Sequence, residues 1–164
     1  MSSELTPKTG QFDEIISIID NARTRALKAV NAELIQMYLN VGEYLSALCA
    51  DSEFGDKVID EAAAYIAKEN PGVKGFNRRG LYRMKQFYET YRDDEFVTPL
   101  VTQISWTNHL LIMSGSKTVE ERHFYMALCA KEHYSKRELE RQMSSAYYER
   151  YMLSCLLYTS DAAD

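Results

Sequence analysis

The chain has 164 residues and a formal net charge of −5, with 46% hydrophobic and 26% charged residues. These values are ordinary for a globular domain with its own core, and they exclude disorder along most of the chain and a uniformly basic nucleic-acid coat protein. No apolar run approaches the roughly 18 residues that span a membrane, the N-terminus has no signal-peptide pattern, and the three cysteines form no CxxC or disulfide framework, so we expect a cytoplasmic protein.

A single long helix is predicted for the first third of the chain. Residues 1–11 are polar, and we expect them to be disordered. From Phe12 to Ala50 apolar residues recur at steps of three and four without a proline, which is the period of a helix. The stripe consists of Phe12, Ile15, Ile19, Ala22, Ala26, Val30, Leu34, Met37, Val41, Leu45 and Leu48. We expect it to pack within the chain along most of its length. The open alternatives are a kink near Gly42 and a homodimer through residues 12–48.

Two shorter helices follow. The second helix ends at Asn70, because Pro71 disfavours the helical conformation of the residue before it. Asn77 is a suitable N-cap for a third helix over residues 78–91. The apolar face of this third helix comprises Leu81, Met84, Phe87, Tyr88 and Tyr91.

The remaining helices are predicted from their caps. Ser105 can cap a short helix over residues 106–113. Two S/T-x-x-E capping boxes, starting at Thr118 and Ser135, open helices over residues 119–132 and 136–151. No strand and no internal repeat is predicted. The expected fold is therefore all-α, with a long N-terminal helix and a helix-turn-helix-like bundle of about five further helices.

The last ten residues differ in character from the rest. Residues 155–164 read CLLYTSDAAD, and this decapeptide resembles the codon-by-codon translation of the transposase adaptor used in shotgun sequencing libraries. The alternative is a natural apolar C-terminal turn. We expect an adaptor artefact, with the native sequence interrupted after Ser154.

Positive charge is concentrated around the third helix. Residues 71–92 contain six basic residues and one acidic residue, for a net charge of +5, whereas residues 51–69 contain six acidic and two basic residues, for −4. The polar side of the third helix could contact nucleobases in a major groove, because Arg can hydrogen-bond guanine and Gln can hydrogen-bond adenine. The basic side chains that flank this side could neutralise phosphates. The candidate DNA-binding residues are Lys74, Arg78, Arg79, Tyr82, Arg83, Lys85 and Gln86.

The second and third helices form a helix-turn-helix candidate. Their connection, residues 70–76, is longer than the usual turn. Two other interpretations remain open: the arginines could form ion pairs with the acidic helix before them, or the basic face could bind a protein.

Sequence patterns that would indicate catalysis are missing. No phosphate-binding loop, dinucleotide fingerprint or nucleophile elbow occurs. His109, His123 and His133 are better explained as core or boundary residues than as metal ligands. We therefore expect no catalytic residue, no metal site and no cofactor in this chain.

Three stretches suggest a family. They are RRGLYRMKQFYETY (78–91), ISWTNHLLIM (104–113) and EERHFYMALCAKEHYSKRELERQMSSAYYER (120–150). In order and spacing, residues 12–154 resemble the helical N-terminal domain of the bacterial YhcG-like family, a domain of unknown function. Residues Asn108 and His109, after Ser-Trp-Thr, depart from the expected pattern.

The resemblance implies that a PD-(D/E)XK nuclease domain follows in the full-length protein. The catalytic carboxylates, lysine and divalent metal would then belong to the segment beyond Ser154. The chain itself would be a DNA-binding or target-recognition domain of a metal-dependent nuclease. The alternative is a helical module for oligomerisation or partner docking without DNA contact.

Overall fold

The structure, a computed structural model, describes residues 5–162, with side-chain surroundings for residues 10–159. The helices are α1 (Leu5–Ala50), α2 (Gly55–Glu69), α3 (Arg78–Tyr91), α4 (Trp106–Gly115), α5 (Val119–Glu132), α6 (Lys136–Ser144) and α7 (Tyr147–Ala162), with a 3₁₀ turn at Val101–Gln103. The described residues contain no strand, which confirms the all-α prediction. None of the described helices is both long and apolar enough to cross a membrane.

The two capping boxes differ from each other. At α6 both halves are present, since Glu138 N–H donates to Ser135 Oγ and Ser135 N–H donates to Glu138 Oε2. At α5 the Thr118 hydroxyl accepts from Glu121 N–H, but the Glu121 carboxylate accepts from Lys117 N–H instead of Thr118 N–H. The predicted box at Thr118 is thus only half correct, although the helix begins where it was predicted.

The prediction of one helix over residues 136–151 is wrong. The chain leaves the helical conformation at Ala146, whose φ is +55°, and restarts as α7. The break brings the aromatic rings of α7 onto Phe124, with Tyr148 and Tyr151 at 5.3 and 5.1 Å between ring centroids. Tyr148 N–H also donates to the Tyr125 hydroxyl at 3.2 Å. These tertiary contacts offset the cost of a left-handed alanine.

The helix α1 begins earlier than predicted. Residues 5–11, expected to be disordered, are its first turns, whereas residues 1–4 lie outside the described part. Pro7 is compatible with this start, because a proline in the first turn of a helix removes an N–H that has no intrahelical partner. The helix also continues without interruption through Gly42.

Only the second half of α1 packs against the rest of the domain. Every residue from 10 to 30 is exposed, and packing starts at Asn31. The Asn31 amide donates to the backbone carbonyls of Thr102 and Ile104 at 3.0 and 3.1 Å. The expectation that α1 packs intramolecularly along most of its length is therefore wrong. The interior of the bundle extends only as far as residue 31.

The core forms where α1 and α3 cross. A Cβ atom on Gly42 would lie 2.1 Å from the Met84 carbonyl oxygen, so only glycine allows the two backbones to come this close. On one side of the crossing lies a cluster with Leu45 and Ile59, and on the other a larger cluster that contains Phe87. The domain is therefore organised around α3.

His109 is part of the larger cluster. It is fully buried, and its ring centroid lies 4.8 Å from that of Phe87. Nε2–H donates to the Val101 carbonyl at 2.7 Å, while Nδ1 has no partner among the described residues. Burial lowers the pKa of His109 to about 4, and the hydrogen bond to Val101 opposes this shift only in part. His109 is thus a neutral core histidine.

Acid should destabilise the protein through His109. In the unfolded chain the pKa of His109 is about 6.5, whereas in the folded protein it is about 4. Between these pH values the unfolded state binds a proton at His109 and the folded state does not, so the unfolding free energy falls as the pH falls. Between pH 7 and pH 5 we expect this residue to remove about 2 kcal/mol of unfolding free energy. Urea titrations of the wild type and His109→Leu at both pH values measure the difference. An equal loss in both proteins would contradict the assignment.

Candidate nucleic-acid interface

The N-terminus of α3 is held by the loop before it. As predicted, Asn77 is the N-cap, and its Oδ1 accepts from Gly80 N–H at 2.8 Å. A Cβ on Gly80 would lie 1.9 Å from the Gly75 carbonyl oxygen, and Gly75 has a φ of +90°. The loop of residues 70–77 therefore turns back against the first turn of α3. This contact fixes the loop that carries Lys74 next to the basic helix.

One side of α3 is paired with α2. Arg78 Nε lies 2.9 Å from Asp60 Oδ1, and the guanidinium also lies 5.6 Å above the ring of Tyr82. The Tyr82 hydroxyl donates to Asp56, a hydrogen bond that raises the pKa of Tyr82. Two of the candidate DNA-binding residues thus contact the acidic helix, as in the alternative interpretation of the basic face.

A third candidate is also paired. Lys85 Nζ lies 3.0 Å from Glu89 Oε1, one turn further along α3, and the same carboxylate oxygen accepts from the Ser46 hydroxyl of α1 at 2.8 Å. This group ties α3 to α1 on the surface of the domain.

The other charged candidates have no such partner. Within the described residues Lys74, Arg79 and Arg83 form no ion pair. Lys74 and Arg79 are exposed, and Arg83 is half-buried. Arg79 and Arg83 are four residues apart and therefore lie on one side of α3. The basic segment thus keeps three unpaired cations after its ion pairs are accounted for.

A groove separates α3 from α4 and α6. It has a volume of about 280 Å³ and is lined by Arg83, Gln86, Thr107, Leu110, Leu111, Met113, Ser114 and Lys136. Lys136 is the first residue of α6. Its ammonium is 3.9 Å from Glu140, the limit for an ion pair, and its side chain is 57% exposed. The fold therefore brings Lys136 to the same groove as Arg83 and Gln86, which are distant in sequence.

The α5–α6 pair was missed as a helix-turn-helix candidate. Residues 133–135 connect the two helices, and His133 has the left-handed conformation with φ +54°. A three-residue turn of this kind is closer to a helix-turn-helix than the eight-residue connection of α2 and α3. The local signal was available, because the capping box at Ser135 precedes Lys136 and Arg137 directly. What the sequence lacked was any indication that α6 lies beside α3.

The described residues contain no group of three or more His, Cys, Asp or Glu side chains placed to hold a metal ion. The three histidines lie in different surroundings: His109 is buried, His123 contacts Asp94 at 2.6 Å, and His133 is exposed in a turn. The surface described above is suited to binding an anionic polymer through side-chain cations.

Two comparisons relate this chain to known proteins. A family model described as DUF1016 N-terminal domain matches residues 14–150. The protein named "Putative nuclease YhcG" from Escherichia coli (strain K12) is 25% identical over an alignment of 175 residues, which covers 87% of this chain and 46% of that protein. The chain thus spans about half the length of that relative. No solved structure matches the chain significantly.

Proposed function

This chain belongs to the DUF1016 N-terminal domain family, and from that premise we propose that it is the DNA-contacting domain of a larger nuclease. The observation that carries the proposal is a pair of α3 arginines, Arg79 and Arg83, that form no ion pair among the described residues. Arg83 lines the groove that also holds Gln86 and Lys136, and Arg79 lies one helical turn before it. The name of the E. coli relative supports a nucleic acid as the ligand.

The side chains of the groove and of the adjacent basic segment suit duplex DNA. A guanidinium can donate two hydrogen bonds to guanine, and the amide of Gln86 can pair with adenine. Lys136 and Lys74 carry ammonium groups on flexible stems, which suit phosphates more than base edges. In this proposal Arg79, Arg83 and Gln86 face the bases, while the lysines fix the position of the duplex.

The paired candidates keep a secondary role. Arg78 and its partner Asp60 have side chains that are 61% and 52% exposed. Exposed ion pairs of this kind contribute little to stability, so Arg78 can exchange Asp60 for a phosphate at little cost. Lys85 can exchange Glu89 for a phosphate less easily, because its side chain is only 25% exposed. We therefore place Arg78, Tyr82 and Lys85 at the edge of the interface.

Salt-dependent binding tests the proposal. Titrating the chain into a labelled duplex and following fluorescence anisotropy at about 50 and 200 mM salt should show binding that weakens as salt rises. Four to six phosphate contacts predict a fall in affinity of roughly 10²–10³ over that range. No binding at the lower salt concentration would exclude DNA as the ligand of this surface.

The position of Lys136 gives a narrower prediction. Lys136→Ala should weaken binding about three- to tenfold and lower the magnitude of the salt slope by about one, because one phosphate contact is lost. Lys131→Ala is the matched control, since Lys131 is also exposed but lines a different pocket, next to Phe124. Equal effects of the two substitutions would show that only net charge matters and that the groove is not the binding surface.

A further inference from the structure

The first half of α1 has an apolar side that none of the residues described by the structure covers. Phe12, Ile15 and Ile19 are 61%, 53% and 44% exposed. They recur at steps of three and four, and the stripe continues through Ala22, Ala26 and Ala29. The charged residues of this segment lie mainly on the other side of the helix. An amphipathic helix of this length is stable when its apolar side is buried.

The domain itself cannot bury this side. Ile15 and Ile35 are 20 residues apart, which at 3.6 residues per turn places them about 160° apart around the helix axis. Ile35 is fully buried against the core. Because α1 is one uninterrupted helix, the side that carries Ile15 points away from the bundle. The apolar side of this segment is thus available to another molecule.

The sizes of the side chains fit a second copy in the antiparallel direction. On this side of the helix the large residues lie at the start of the segment and the alanines at its end, whereas Leu27 lies on a different side. In an antiparallel pair that crosses between Asp20 and Asn21, each large residue meets an alanine of the other copy. The facing pairs are Phe12 with Ala29, Ile15 with Ala26, and Ile19 with Ala22. Large residues against small ones let two helices pack closely along a heptad seam. In a parallel pair the alanines would face each other and leave a gap.

The charges favour the same arrangement. The acids of the segment, Asp13, Glu14 and Asp20, come before its bases, Arg23, Arg25 and Lys28. Antiparallel alignment places Glu14 level with Leu27 and next to Lys28 of the other copy, and Asp20 near Arg23. In a parallel pair acids would face acids and bases would face bases, which is unfavourable. Size and charge are independent features, and both select one orientation.

We propose that two copies of this chain associate through residues 12–29 of α1 as an antiparallel helix pair. The proposal does not rest on DNA binding, because the paired surface and the groove lie on different elements and the association is measured without nucleic acid. It replaces the predicted homodimer through residues 12–48 by a shorter seam, since α1 packs against its own domain from Asn31 onward.

Association can be measured on the full chain by sedimentation equilibrium. The wild type should show a monomer–dimer equilibrium at about 10–200 µM, because a seam of this length lies at the small end of specific interfaces. Ile15→Glu/Ile19→Glu should raise the dissociation constant at least about 100-fold, since two charges from each copy would enter the seam. Both sites are exposed in the monomer, so the helical circular dichroism should not fall. A monomeric wild type over the whole range would overturn the proposal.

The tail of α7 provides the matched control. Leu156 and Leu157 are also exposed leucines on a projecting helix, at 64% and 68%. Leu156→Glu/Leu157→Glu should leave the dimer unchanged. A dimer that survives the isoleucine substitutions but is lost in this variant would assign association to α7 and overturn the proposal.

Disulfide cross-linking tests the orientation. In a Cys155→Ser background, which removes the exposed thiol, chains with Ile15→Cys and chains with Ala26→Cys should cross-link when mixed. Neither should cross-link with itself, because equivalent positions would lie roughly 16 Å apart along the seam. Efficient cross-linking of Ile15→Cys alone would indicate a parallel pair and overturn the antiparallel geometry.

Discussion

Arg79→Ala/Arg83→Ala should lower the affinity for duplex DNA about 100-fold while leaving the fold intact. Each good bidentate contact to a nucleobase contributes about 1–3 kcal/mol of binding free energy. Two contacts near the lower part of this range together contribute roughly 3 kcal/mol, which corresponds to the expected loss. Neither side chain forms an ion pair in the described residues, and neither belongs to the buried core. The thermal midpoint should therefore stay within a few degrees of the wild type. Anisotropy titrations at fixed salt measure the affinity.

The control must remove the same charge elsewhere. Lys57→Ala/Lys68→Ala also deletes two cations, from the exposed surface of α2. If α3 is the contacting element, this variant should lose less than about fivefold, an effect of long-range charge that salt largely screens. Equal losses in the two double variants would reduce the interaction to non-specific attraction. Sequence preference should also disappear only in the arginine variant, since base contacts and not phosphate contacts carry it.

Gly42→Val should destabilise the domain by about 3 kcal/mol and lower the thermal midpoint by about 6–12 °C. A Cβ at this position would meet the Met84 carbonyl oxygen at 2.1 Å and Tyr88 Cβ at 2.9 Å. These contacts involve backbone and the first side-chain carbon, so no rotamer change relieves them. The two helices must move apart, and both core clusters lose packing because both adjoin the crossing.

The same substitution at Gly10 separates packing from helix propensity. Gly10 also lies in α1, but a Cβ there would meet no atom within 4 Å. Valine has a slightly better helix propensity than glycine, so Gly10→Val should be neutral or stabilising by a few tenths of a kcal/mol. Thermal unfolding followed by circular dichroism compares the two variants. A Gly42→Val protein as stable as Gly10→Val would show that α1 and α3 are not in close contact.

Features decided within a few residues could be predicted from the sequence. The Asn77 cap and the capping box at Ser135 each depend on a side chain and a backbone N–H three residues later. Helix period and caps therefore predicted the boundaries of α3 and α5 and the C-terminal end of α2 correctly. The break at Ala146 could not be found this way, because it depends on the packing of α7 rings against Phe124.

At the candidate interface, too, local features could be predicted from the sequence and tertiary contacts could not. The basic character of α3 is visible in the sequence, but which of its cations remain unpaired is not. Arg78 and Arg79 are adjacent and chemically identical, yet only Arg78 reaches Asp60. The approach of Lys136 to Arg83 depends on how α4 and α6 pack beside α3. Likewise, the stripe of α1 reads as continuous, and only the structure shows that the helix packs against the domain from Asn31 onward.

The uncovered half of α1 also sets a distance. In the antiparallel pair, Asn31 of one copy is level with residue 10 of the other, so the points where the two helices enter their domains are about 21 residues apart. At 1.5 Å per residue this separation is roughly 32 Å. Successive major grooves on one side of B-DNA are about 34 Å apart. A dimer whose α3 surfaces keep this separation would match two-fold symmetric sites with half-sites centred about one helical turn apart, and inserting half a turn between the half-sites should lower its affinity.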